Sequence, residues 1–201
     1  IVDSLVGSEM CIRDRYITVI RQTPLLIQLM CWYFVGFLSI RNNSFLNLSN
    51  VVNISNKGIE LFGLNLSSEF SALLFGLSIF SSAFIAEVIR GGIQSVPVGQ
   101  WEAFRSLGIS EKQGFIKIII PQALPAFIPG LTSQYLNLAK NSTLAIAIGY
   151  ADIYAINDTI INQTGRAVEC FIILLCSFLI LNLLITKVMG IIDKSIMKTR
   201  I

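Results

Sequence analysis

The chain has 201 residues, of which 54% are hydrophobic and 13% charged, and it contains no histidine. A soluble domain carries about 25% charged residues, so this composition speaks for a membrane protein and against a water-soluble enzyme. The net charge of +3 is spread along the chain without a basic stripe, which argues against a nucleic-acid partner. Absence of histidine removes the commonest general base and metal ligand.

Residues 5–15, LVGSEMCIRDR, have neither the long apolar run of a signal peptide nor a helical period. They read as a translated sequencing-library adapter, so residues 1–15 are set aside as non-native and the true N-terminus is expected to be missing. From residue 16 onward four apolar segments follow, near 20–40, 70–90, 122–148 and 168–192. A membrane-crossing helix needs roughly 20 apolar residues, which the first segment reaches only if residues 16–20 extend it. Small residues in the second (Gly76, Ser78, Ser81, Ser82, Ala83) allow close helix approach. The expected fold class is therefore all-α, a polytopic integral membrane protein. Between the spans lie polar stretches at 41–69, 94–121 and 149–166, and a polar tail.

Charge sets the orientation. With 94–121 in the cytoplasm, that side holds Arg21, Arg90, Arg105, Lys112, Lys117, Lys187, Lys194, Lys198 and Arg200. The other side holds Arg41, Lys57 and Arg166. The C-terminus is then cytoplasmic.

Residues 94–121 form the one long polar segment that still reads as helix. Pro97 suits a first helical position, and Gly108 suits the residue after a helix end, where a left-handed backbone is needed. Ser110 with Gln113 three residues on reads as a capping box for a second helix, which Pro121 is expected to stop. The product is a pair of short helices between two spans. Its residues Glu102-Ala103, then Gly108, then Ile118, Ile120 and Pro121 resemble the EAA loop of binding-protein-dependent ABC transporter permeases. That pattern runs E-A-A, three residues, G, nine residues, I-x-L-P. Phe104 replaces the second alanine and Ile120 the leucine.

The resemblance extends to RQTPLLIQL from Arg21, to FIAEVIRGGIQSVPVGQWEA, and to LTSQYLNLAKNSTLAIAIGYADIY, which is similar to the general L-amino-acid branch. It implies an ABC type I importer transmembrane domain in a bacterial inner membrane, seen here as a C-terminal fragment. It also implies an ATP-binding subunit docked on the 94–121 loop through Glu102, Ala103, Gly108, Ile118 and Pro121. The other implied partners are a second permease subunit, a periplasmic substrate-binding protein and an amino-acid substrate.

The residues themselves suggest a pathway. Ser133, Asn137, Lys140 and Asn141 recur at i, i+4, i+7 and i+8, which puts them on one helical face. Polar side chains in a membrane helix usually face a cavity or another helix, so this face is a candidate substrate lining. The alternative is that Lys140 snorkels to the outer headgroups or pairs with an acid on a neighbouring subunit. Pro125 and Pro129 interrupt the same helix and predict a kink. Glu87 and Arg90, one turn apart, form a candidate gate or brace, or a merely neutralised pair. Gln28 and Asn182 read as lone amides engaged in packing, and Trp32, Tyr33 and Trp101 as interfacial or docking aromatics.

The four cysteines, Cys11, Cys31, Cys170 and Cys176, lack CxxC spacing and read as small hydrophobes rather than disulfides or metal ligands. The sequence has no G-x-x-x-x-G-K-[ST] loop, no nucleophile–base pair and no metal-spaced cluster. No catalytic residue, metal or cofactor is assigned. ATP hydrolysis is expected on another chain, and the protein is a transport subunit rather than an enzyme. The alternative reading is a secondary transporter or channel using Glu87 and Lys140 as intramembrane charges. It predicts inverted repeats, which the four segments do not show.

Overall fold

The computed structural model describes residues 14–39, 46–47, 52–55, 57–61 and 64–198. Cys11 and nearly all of the stretch set aside as foreign lie outside the described residues; 14 and 15 already belong to helix α1, residues 14–22. Two compact units emerge. One comprises the chain up to Ala83 with Leu138–Phe178, the other Phe84–Asn137 with Leu179 onward.

In the first unit α1 breaks at Thr23-Pro24, and α2 (Leu25–Met30) passes directly into a π-helical segment, Cys31–Phe37. Pro24, at φ −60° and ψ 133°, is extended, so the expected first span is two short helices. The apolar run Leu25–Phe37 falls short of membrane length. The polar stretch 41–69 holds an antiparallel meander that the sequence pattern does not announce. It consists of β1 (Leu46–Asn47), β2 (Val52–Ser55), β3 (Gly58–Leu61) and β4 (Leu64–Ser67), in order β1-β2-β3-β4. Its register pairs Ile59 with Leu66 and Glu60 with Asn65, so apolar and polar partners alternate between faces. Ile59 joins a core with Leu25, Leu29, Phe37, Ala72, Leu73, Ala145 and Ile148.

Among the described residues, three helices are long and apolar enough to cross a membrane: Ser68–Gln94, Glu111–Ile148 and Ala167–Ile196. The first is α3. Gly76 on it receives Leu29, whose Cδ2 lies 2.5 Å from where a β-carbon would stand, so the expected close approach occurs there. The second contains α5 (Glu111–Gly114), a π-helical turn (Phe115–Ile119), α6 (Ile120–Asn141) and a 3-10 segment (Ser142–Ile148). Pro121 therefore does not stop a helix, contrary to expectation. Proline damages a helix by lacking an N–H and by pressing on the carbonyl four residues back. Here the Ile120 N–H donates to Phe115 O, five residues back, so the widened turn ends where Pro121 has no proton to give. Pro125 and Pro129 likewise sit inside α6.

Gly149, at φ +78°, closes this long helix. Its N–H donates to Ile146 O at 3.1 Å and the Tyr150 N–H to Ala145 O at 3.1 Å. The polar stretch 149–166 contains a helix rather than only a loop: α7 (Ile153–Thr164), capped by Asp152, which accepts from the Ala155 N–H at 2.8 Å. Gly165 ends α7, and α8 (Ala167–Lys198) follows with Val168, Phe171, Leu175 and Leu183 all more than half exposed. Of the cysteines expected to behave as core hydrophobes, Cys170 is buried, whereas Cys31 and Cys176 are exposed.

Candidate functional site

In the second unit, α4 (Val98–Ser106) and the Glu111–Ile119 start of the long helix fold back on one another around Gly108. Pro97 is the residue before α4 rather than its first. Gly108 holds φ +69°. Its N–H donates to Arg105 O at 3.0 Å, and the Ile109 N–H donates to Phe104 O at 3.1 Å, so two end carbonyls of α4 are satisfied. Ser110 then stands in the extended N-cap conformation, but its side chain makes no capping bond, so the capping box does not form.

Behind the turn lies a small core of Val96, Phe104, Ile119 and Ala123, joined by Trp101, Ile109, Phe115 and Ile118. Phe104, which stands where the EAA pattern has alanine, is 1% exposed. Its ring occupies the space left by Gly114: a β-carbon there would come within 2.5 Å of Phe104 Cε2. Trp101 lies 6.1 Å from both the Phe104 and Phe115 rings, so it is part of this core rather than a free docking aromatic. Burial of these rings, not the helix propensity of two short segments, holds the pair together.

A charged clasp bridges the outside of the turn. Arg105 Nε donates to Glu111 Oε1 at 2.7 Å and Nη2 to Oε2 at 3.5 Å. The Glu111 carboxylate, through this hydrogen bond and its charge, holds the Arg105 guanidinium above its ordinary pKa. Gln122 Nε2 donates to Gln100 Oε1 at 3.1 Å, linking α4 to the first turns of α6.

The five residues expected to couple to an ATPase thus divide by role. Glu102 and Ala103 are exposed on α4 and free to meet another chain. Gly108 makes the turn, Ile118 packs inward, and Pro121 sits at the π-to-α seam. The Arg105–Glu111 clasp and the Phe104–Gly114 fit are not evident from the sequence. The departure from alanine at 104 is the only signal for either.

Along α6, Ser133, Asn137 and Lys140 are exposed and Asn141 half-buried. The Ser133 hydroxyl donates to Pro129 O at 3.2 Å and that of Thr132 to Ile128 O at 3.0 Å. Among the described residues no carboxylate pairs with Lys140. Arg90 Nη1 lies 3.5 Å from Glu87 Oε1, the expected one-turn pair, with both side chains about one-third exposed. No metal-holding group of side chains occurs among the described residues. Gln28 is not a packing amide: its Nε2 bonds three acceptors around the Thr23-Pro24 break. Asn182 Oδ1 is buried with no partner among the described residues.

The family model described as "Binding-protein-dependent transport system inner membrane component" matches residues 12–198. The chain is 50% identical over 135 residues to the putative amino-acid ABC transporter permease protein YhdX of Escherichia coli K12, covering 67% of this chain and 34% of that one. It is 48% identical over 122 residues to the general L-amino acid transport system permease protein AapQ of Rhizobium johnstonii, covering 61% and 30%. The chain thus spans about a third of the length of these two relatives. With the probable glutamine ABC transporter permease protein GlnM of Bacillus subtilis it shares 33% identity over 184 residues, covering 92% and 74%. A solved amino acid ABC transporter with histidines superposes at TM-score 0.69 with 34% identity, covering 90% of this chain and 74% of that one. A methionine ABC transporter, MetNI, in an inward-facing conformation has the same fold, with TM-score 0.66 and 19% identity, covering 91% and 73%.

Proposed function

Since the chain belongs to the family of inner-membrane components of binding-protein-dependent transport systems, we propose that it is a permease subunit of an amino-acid ABC importer. The observation that carries this reading is the folded turn at Gly108, which presents Glu102 and Ala103 outward on a packed, clasped helix pair. A loop that frayed would absorb displacement, whereas this one passes it on. An ATP-binding subunit docks on that surface, and a second permease subunit completes the pathway. A periplasmic binding protein delivers the amino acid from the side of α7, and the C-terminus lies in the cytoplasm. The amino-acid names of the relatives support the substrate class.

Ser133, Asn137, Lys140 and Asn141 line the route. An unpaired lysine facing lipid at mid-membrane is unfavourable by roughly 2.5–3.5 kcal/mol, which favours turning that face toward water. There Lys140 meets the substrate carboxylate and the hydroxyl and amides meet its ammonium. Glu87 and Arg90 brace the inner end of α3.

The test is uptake of labelled L-amino acids by proteoliposomes holding the full-length permease with its partner subunits. Uptake is expected to need ATP and the binding protein, and Lys140→Met is expected to lower it without lowering membrane insertion. Cysteines at Ser133 and Asn137 are expected to react with water-soluble thiol reagents, and one at Leu131, on the opposite face, is not. Uptake driven by an ion gradient without the ATPase would instead favour a secondary transporter using Glu87 and Lys140. Normal uptake by Lys140→Met would remove that residue from the route.

A further inference from the structure

Pro24 splits the first apolar segment, and the carbonyls left at the split find donors, although the Gln28 Oε1 that faces away from them is buried with no partner among the described residues. In an unbroken helix the N–H of residue 24 would donate to the carbonyl of residue 20. Proline has no such proton, and a carbonyl partly shielded from water is costly to leave without a donor. The Gln28 side chain supplies the replacement: its Nε2 donates to Ile20 O at 2.9 Å. The same nitrogen lies 2.6 Å from Thr23 Oγ1 and 3.2 Å from Thr23 O. Thr23 Oγ1 in turn reaches Val19 O at 3.0 Å and Ile20 O at 3.2 Å. The two carbonyls facing Gln28 can only accept, so the amide orientation is dictated by its surroundings. On the other side of the break, the main-chain N–H groups of Ile27 and Gln28 both donate to Pro24 O, at 3.1 and 3.2 Å. One residue therefore closes α1 with its side chain and opens α2 with its backbone. Leu25 and Leu29, beside it on α2, are buried in the core of the first unit.

We infer that Gln28 is a positioning residue that holds α1 and α2 as two separate helices, by donating to Ile20 O the hydrogen bond that Pro24 cannot, and that transport requires this fixed break. The transport half rests on the functional reading above; the hydrogen-bond half does not. The two halves separate in a four-membered cycle of wild type, Gln28→Leu, Pro24→Ala and the double variant, made in the full-length permease assembled with its partner subunits.

Gln28→Leu removes the shorter of the two donors to Ile20 O and leaves it only the Thr23 hydroxyl at 3.2 Å. It is expected to lower the thermal midpoint of the solubilised complex, shifting its stability by up to about tenfold in equilibrium terms, the upper end for one hydrogen bond. In the double variant, position 24 regains an N–H that can reach Ile20 O, so the midpoint is expected to return toward wild type. Uptake, however, is expected to stay low, because the helix then runs straight through residue 24. A wild-type midpoint for Gln28→Leu would overturn the clasp. Full uptake by the double variant would overturn the positioning role. If Gln28→Leu fails to assemble, the double variant decides: assembly supports the clasp and failure refutes it. The midpoints are read without substrate, so a wild-type complex that took up no amino acid would count against the functional reading and leave the clasp to be judged on stability.

Discussion

Phe104 and Gly114 are ten residues apart in sequence and in contact across the turn, and the size of each is set by the other. Gly114→Ala places a methyl carbon 2.5 Å from Phe104 Cε2, and such overpacking typically costs about 1–3 kcal/mol. Phe104→Ala empties the same site, at a typical cost of about 3–5 kcal/mol for a buried ring. Thermal unfolding of both single variants and the double is expected to show strong coupling, with Gly114→Ala costing nothing once Phe104 is alanine. Additive losses would mean the ring does not depend on that glycine. The sequence marks Phe104 as a departure from a motif. It cannot mark its counterpart, because the two meet only after Gly108 has reversed the chain. The role of Gln28 is hidden for a similar reason: its acceptors include backbone carbonyls, which leave no trace in a side-chain pattern.

At the level of elements, proline acts in two ways here. Pro24 ends α1, whereas Pro121, Pro125 and Pro129 all sit inside one continuous helical run. What differs is how the surrounding turn deals with a missing N–H: a side-chain donor at Pro24, a widened π turn before Pro121. Sequence reading weights proline as a stop because intrinsic propensity knows nothing of either device. The joint at Gly108 is legible, since only glycine takes φ near +69° without strain. A β-carbon in that conformation is disfavoured by roughly 1–2 kcal/mol. Gly108→Val is therefore expected to insert normally in the membrane but to retain less of the ATP-binding subunit through purification. Undiminished recovery of that subunit would detach the turn from coupling. The meander at β1–β4 is hard to read because its strands are short and rich in asparagine, a poor strand former. Its pairing rests on the apolar alternation that carries Ile59 into the core.

For the whole molecule, composition and hydropathy are enough to identify a helical membrane protein, and three long apolar helices bear this out. The orientation remains a matter of charge. If basic residues flanking the 94–121 loop and the tail hold those parts in the cytoplasm, a fluorescent protein fused after Ile201 will fold and fluoresce, while alkaline phosphatase fused there will be inactive. A cysteine at the exposed Asp158 of α7 will be labelled from the opposite side of the membrane. The reverse pattern would invert the topology. The long helix matters here for more than its length. Because Glu111–Gly114, the Phe115–Ile119 turn and α6 run on without a break, the angular setting of every α6 side chain is inherited from the loop. One residue more or fewer in a helix rotates all later side chains by about 100°, given 3.6 residues per turn. The loop of this chain therefore cannot be exchanged for that of a relative by matching ends alone. Unless the residue count through Phe115–Ile119 is kept, Ser133 and Asn137 would be turned away from the face proposed to line the route.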